Sequence, residues 1–202
     1  MSAPRFALCG PAQLSQEIRK SKFVANAANV ASEDAAQDYL HAVADAAATH
    51  NCWAWRIGAR YRFSDDGEPA GTAGKPILLA IDGQLLDQVM VVVTRWFGGI
   101  KLGAGGLMRA YGGCAAECLR QAAKVAIIEQ LEVEFAIAFA EQPLLRARLR
   151  TLDALVAAEE FSRDGVNLRV RLPTTRVEEL RRLLADVTRG RGTLRILERQ
   201  GH

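Results

Sequence analysis

Residues 89–97, read Val-Met-Val-Val-Val-Thr-Arg-Trp-Phe, constrain the fold of this chain more than any other stretch. Apolar, largely β-branched side chains fill consecutive positions, so both faces of an extended segment are apolar, as in a central strand covered on two sides. The run ends in Gly98-Gly99, and a helical pattern follows over about 104–123. Seven of the chain's seventeen glycines lie between residues 98 and 113, at 98, 99, 103, 105, 106, 112 and 113. Glycines at a strand-to-helix junction permit positive φ and close backbone approach, leaving amide N–H groups and a helix N-terminus free to face an anion. Arg95, Lys101 and Arg109 share the stretch, and no Asp or Glu occurs from Gln88 to Ala116. The spacing is neither GxxxxGK(S/T) nor GxGxxG. The opposing reading gives the glycines to close helix packing and pairs Arg95 with the acidic loop at 65–68. For Gly112 and Gly113, inside the expected helix, packing is the preferred reason.

Around this segment, residues 18–30 have strand character, and Ser32-Glu33-Asp34 supplies a cap and an acidic first turn for a helix over about 33–48. Residues 52–63 read as a half-buried strand with Trp53, Trp55 and Ile57 on its apolar face. The stretch 64–74 is a loop long enough to be functional, before a short helix over 75–82. After residue 127 the pattern resets: strand 130–140, helix 143–156, strands 157–163 and 166–172, helix 175–188 and strand 193–199, a ferredoxin-like βαββαβ order. Asp164-Gly165 marks the hairpin between the middle strands. The expectation is an α+β chain of two domains, 1–127 and 128–202.

With 202 residues, half of them apolar, there is material for one large or two modest cores. No apolar run approaches the roughly 20 residues that cross a bilayer, and residues 1–10 do not read as a secretory signal. A cytoplasmic location is expected, with no membrane partner. Cys9, Cys52, Cys114 and Cys118 have no CxxC spacing and read as thiols. The 26 basic and 23 acidic residues nearly balance, so a polyanionic partner has to be argued from where charges sit.

Several side chains flank the glycine-rich turn in this reading: His50, Cys52, Arg56, Glu68 and Lys75. His50 and Cys52, two apart on a strand, share a face opposite Trp53 and Trp55, but the sequence identifies neither an orienting group nor oxyanion donors for a Cys-His nucleophile. Cys114 and Cys118 read as buried small side chains rather than zinc ligands. Asp65, Asp66 and Glu68 fit a solvated turn. Trp96 and Phe97 are either core or a stacking surface for a base. In the second domain, Arg169 and Arg171 should face outward beside Glu132 and Glu134, which would consume their charge. No catalytic residue, metal site or cofactor is assigned.

The sequence resembles the YigZ/IMPACT family. The resemblance is carried by Ser21-Lys22-Phe23-Val24-Ala25, His50-Asn51-Cys52-Trp53-Ala54, the run from Asp65-Asp66-Gly67-Glu68-Pro69 to Lys75-Pro76, and the run from Val91 through Arg95-Trp96-Phe97-Gly98-Gly99 to Arg109-Ala110-Tyr111. It implies a first domain like the second domain of ribosomal protein S five and a second domain like the last domain of elongation factor G, both of which work on RNA or the ribosome. Eukaryotic members regulate translation. The expected function is that of a translation-associated binding protein contacting RNA, the ribosome or a translation-related protein through Arg95, Gly98, Gly99, Lys101, Gly103, Gly105, Gly106 and Arg109. The alternatives are a small-molecule enzyme or sensor holding a phosphorylated ligand at the same turn, and a protein-interaction module.

Overall fold

The computed structural model describes residues 4–197, and its first half is organised by one antiparallel sheet. Strands β1 (Phe6–Leu8), β2 (Ala12–Ile18) and β3 (Ser21–Asn29) lead to helix α1 (Glu33–Val43). They are followed by β4 (His50–Ile57), β5 (Arg60–Ser64), α2 (Gly74–Gly83), β6 (Val89–Trp96), α3 (Ala104–Gln121) and β7 (Lys124–Ala126). Five strands lie in the order β2-β3-β6-β4-β5, while β1 and β7 form a separate ribbon.

The β-branched run is the middle strand, and its alternation divides two cores. Val89, Val91 and Val93 face Ile77 and Ile81 of α2 and Leu107 and Tyr111 of α3. Met90 and Val92 face Ala36 of α1, together with Trp55. The sheet is thus covered on both faces, as a strand apolar on both sides requires. β4 is also apolar on both sides, because Cys52 and Ala54 are as fully buried as the core of β6; the expectation of a single apolar face is corrected.

In the first unit three elements depart from the sequence expectation for local reasons. The strand expected over 18–30 is β3 alone, and β2 precedes it through a two-residue turn at Arg19-Lys20. Residues 52–63 are two strands, separated where Gly58 takes φ 62°. The first helix stops at Val43 rather than 48 because Asn51 holds the backbone of Asp45, accepting from its N–H and donating to its carbonyl, both at 3.0 Å.

Residues 128–197 form a second compact unit, with β8 (Gln130–Ala138), α4 (Gln142–Leu149), β9 (Leu155–Phe161), β10 (Gly165–Pro173), α5 (Val177–Thr188) and β11 (Arg195–Leu197). The sheet order is β11-β8-β10-β9, all antiparallel. Val133, Phe135, Leu168 and Val170 meet Leu145, Leu149, Leu180 and Leu184 of the two helices. α4 is shorter than expected, since the chain leaves it through a tight turn and Asp153 at φ 52° before β9 begins. The last strand begins at Arg195, and positions 198–199 lie outside the described residues. On the open face Arg171 pairs with Glu132 at 2.6 Å, but Glu134 takes Arg195 and Asn167 instead of Arg169, so the expected neutralisation is corrected at Arg169, which stays exposed. The hydrogen bond from Arg195 is the main reason the Glu134 carboxyl is held below its ordinary range. The protein is a two-domain α+β chain, and no helix of the described residues is long and apolar enough to cross a membrane.

Candidate functional site at one end of the first sheet

Strand register places four connections at one end of the five-stranded sheet. Lys22 pairs with Trp96, Arg95 with His50, and Trp53 with Ser64. The turn at 19–20, the loop at 44–49, the loop at 65–73 and the glycine-rich turn at 97–103 therefore gather there, with the N-termini of α2 and α3.

At its centre is a buried carboxylate. Glu68 Oε1 accepts hydrogen bonds from Arg95 at 2.6 Å and from the Tyr111 hydroxyl at 2.7 Å. The Arg95 side chain is only 6 % exposed. Its guanidinium lies 5.5 Å from the Phe23 ring and 5.4 Å from the Phe97 ring, and it also donates to Ser21 Oγ at 3.3 Å. Its Nε is buried without a partner. Arg95 is thus no free cation for a polyanion, and its place among the cationic contacts is corrected. Packing between two aromatic rings desolvates the guanidinium, and an ion pair with additional hydrogen bonds is what such burial demands. Tyr111 reaches Glu68 from α3 and sets its ring edge-on to Phe23; burial is the main cause raising its phenol far above the ordinary value.

The remaining carboxylates of the loop are also engaged. Asp65 accepts from the N–H groups of Gly71, Ala73 and Gly74 at 2.8 to 2.9 Å, which closes the start of α2. Burial pushes the Asp65 carboxyl up, but these three bonds together outweigh it and hold it below the ordinary value. Asp66 accepts from Asn51 N–H at 2.5 Å. His50 Nδ1 lies 2.7 Å from the Asp66 carbonyl; a carbonyl only accepts, so the proton is on Nδ1. Nε2 faces Glu68 at 3.9 Å. The Cys52 thiol donates to the Asp65 carbonyl at 3.0 Å, and burial above all pushes it up to about 12. A thiol so held is a poor nucleophile. The turn at 65–68 is internally bonded, with Glu68 buried while Asp66 and Gly67 stay exposed, so the expectation of a solvated turn is corrected at Glu68.

The glycines divide by role. Gly98 sits against the 19–20 turn, where an added Cβ would lie 1.8 Å from the Lys20 carbonyl oxygen. Gly99 and Gly103 have φ 86° and 71°. Gly103 caps α3 without a side-chain bond and without an acidic first turn. Gly105 is open except for the Arg109 guanidinium, 3.7 Å from where its Cβ would be, and Gly106 closes on Leu102. Within the helix Gly112 packs on Pro76, but Gly113 meets nothing within 4 Å, so packing accounts for only one of that pair.

Lys101 and Arg109 are exposed around this turn, and Lys75 is exposed in the first turn of α2. Arg56 is elsewhere: it pairs with Asp82 at the opposite end of β4, next to Val89, and is removed from the flanking group. The residues that the sequence reading did not place in the site are Arg19, Lys20, Ser21 and Tyr111. Arg19 and Lys20 occupy both central positions of a two-residue hairpin with φ 46° and 66°, and both are exposed. Among the described residues, none of Arg19, Lys20, Lys75, Lys101 and Arg109 joins an ion pair.

The fold and this end together define a two-domain α+β protein whose first unit presents exposed cations, unpaired among the described residues, beside loop carboxylates that are hydrogen-bonded within the unit. Residues 19–119 match the Impact N-terminal domain, and residues 135–191 match a domain of unknown function, DUF1949. The chain is 48 % identical over 175 residues to an "IMPACT family member in pol 5′region" of Thermus thermophilus, covering 86 % of this chain and 97 % of that one. It is 36 % identical over 187 residues to the IMPACT family member YigZ of Escherichia coli K12, covering 89 % and 91 %. A crystal structure described as that of a hypothetical protein superposes with TM-score 0.71 at 34 % identity, over 99 % of this chain and all of that one. The chain belongs to the IMPACT family.

Proposed function

We propose that the first unit binds RNA, on the ribosome or in a translation complex, through the end of the sheet formed by the 19–20 turn and the glycine-rich turn. The observation that carries this reading is the division of charge. Asp65, Asp66 and Glu68 each accept hydrogen bonds from within the unit, whereas Arg19, Lys20, Lys75, Lys101 and Arg109 are exposed and, among the described residues, join no ion pair. Phosphates are met by such side chains together with free backbone N–H groups at a helix N-terminus. The likeness to domains of ribosomal protein S five and elongation factor G that the family resemblance implies, and the translational role of eukaryotic IMPACT proteins, support the same direction. The setting is cytoplasmic in this reading, and no catalytic step is assigned.

Co-sedimentation with ribosomal subunits and with free structured RNA at two salt concentrations tests it. Wild-type binding is expected to weaken with salt, since each phosphate contact releases counterions, and Lys101→Ala/Arg109→Ala is expected to lose most of it. Binding unchanged by salt, or none by the wild type, overturns the reading. A second reading is favoured by the α3 start alone: with Gly103 as cap and open space at Gly105, it could hold one phosphorylated metabolite. Thermal-shift screening of nucleotides and sugar phosphates would then give a stabilising ligand, which the RNA reading does not require.

A further inference from the structure

Phe97 is a large aromatic side chain left 46 % exposed at the point where the buried central strand gives way to the glycine-rich turn. It is not loose. Its N–H donates to Thr49 Oγ1 at 3.0 Å, and its ring lies 5.4 Å from the Arg95 guanidinium. That guanidinium is fixed from beneath by Phe23, Glu68 and Ser21. The order Phe23, Arg95, Phe97 is therefore a stack that begins in the core and ends at the surface. The next position, Gly98, carries no side chain to shield it, and Gly99 is exposed at φ 86°. Ile100 adds a second exposed apolar side chain, 40 % exposed. Lys101 follows directly, and Lys22 covers the ring of the neighbouring Trp96 at 5.0 Å.

Duplex RNA offers a protein its backbone and a shallow groove, with base faces hidden in the stack, whereas an unpaired nucleotide offers a base face beside its phosphate. An aromatic platform among cations fits the second kind of ligand. We propose that the ligand of this end is unpaired RNA, with one base stacked on Phe97 and the adjoining phosphates on Lys101, Arg109 and the 19–20 turn. This rests on the RNA reading above and adds the class of RNA and the residue that selects it. A platform supported by a buried guanidinium loses little side-chain freedom on binding, which favours affinity.

The test is fluorescence anisotropy with a labelled 12-nucleotide unstructured RNA and with a labelled RNA duplex of the same length, using the full chain and the variants Phe97→Ala, Phe97→Trp and Lys101→Ala/Arg109→Ala. Wild type is expected to prefer the single strand. Phe97→Ala should weaken single-strand binding by about tenfold, with an unchanged salt slope because no charge is lost, and leave duplex binding unaltered. Phe97→Trp should retain the preference. Circular dichroism of Phe97→Ala checks that the fold is kept. Equal single-strand affinity in Phe97→Ala and wild type, or equal loss toward both RNAs, overturns the inference while Lys101→Ala/Arg109→Ala still tests the RNA reading. A wild type that binds neither RNA overturns both.

Discussion

Glu68 shows how far one residue can change the meaning of its neighbours. Read along the sequence it is one acidic residue in a polar loop; in the fold it holds Arg95 and Tyr111, and its own side chain is 4 % exposed. Removing one member of such a buried pair leaves the other charge without compensation, which costs roughly 3–5 kcal/mol, whereas replacing both by apolar side chains of similar volume can cost little. Glu68→Leu is therefore expected to lower the unfolding free energy by about that amount in urea titration. Glu68→Leu/Arg95→Met should be more stable than Glu68→Leu alone, because the methionine sulfur suits the space between Phe23 and Phe97 and the orphaned Arg95 Nε disappears. Recovery should be partial, since the Tyr111 hydroxyl still lacks its acceptor. A double variant no more stable than the single one would mean that Glu68 does something other than neutralise Arg95.

Among the elements, the β2–β3 hairpin carries the clearest conflict between local preference and observed structure. Both central positions of its two-residue turn need positive φ, which Asn-Gly meets at low cost. Arg19 and Lys20 adopt it instead, at roughly 1–2 kcal/mol per residue. Strain kept at a surface turn beside Gly98 is understandable if the two side chains are wanted there. Arg19→Asn/Lys20→Gly is expected to raise stability by about 2 kcal/mol while weakening RNA binding several-fold, measured by denaturant titration and anisotropy on the same sample. A stabilised variant with undiminished binding would remove this turn from the site. The same turn explains part of what the sequence could and could not disclose. The central strand, the α3 start and the βαββαβ order were legible because they are written in local periodicity and composition. β2 was not, because Arg-Lys is no hairpin signature, and the 52–63 segment read as one strand because Gly58 is a single weak break. The pairing of Arg95 with Glu68 was legible only as an alternative, since 27 residues separate partners that the β4–β6 register and the 65–73 loop bring together.

For the whole molecule, the division between Ile127 and Ile128 separates two sets of core residues. β7 closes the first unit by pairing with β1, and Ile127 N–H donates to the Arg5 carbonyl at 2.8 Å, so a chain ended after residue 127 keeps all of these bonds. The cations proposed to meet RNA, and the Phe97 platform, lie within it. On the open sheet face of the second unit Arg171 and Arg195 are paired with glutamates, which leaves Arg169 as the exposed arginine of that face without an ion pair among the described residues, and paired charges release fewer counterions on binding. Residues 1–127 alone are therefore expected to fold cooperatively and to retain single-strand RNA binding within about threefold of the full chain, with the same salt slope. Residues 128–202 should fold but bind at least tenfold more weakly. Circular dichroism melts establish folding for each fragment, and anisotropy at two salt concentrations then measures binding. A folded first fragment that has lost binding would place part of the RNA surface on the second unit, and a second fragment that binds alone with a steep salt slope would mean that exposed arginines of that unit such as Arg163, Arg169 and Arg182, not the glycine-rich turn, dominate the contact.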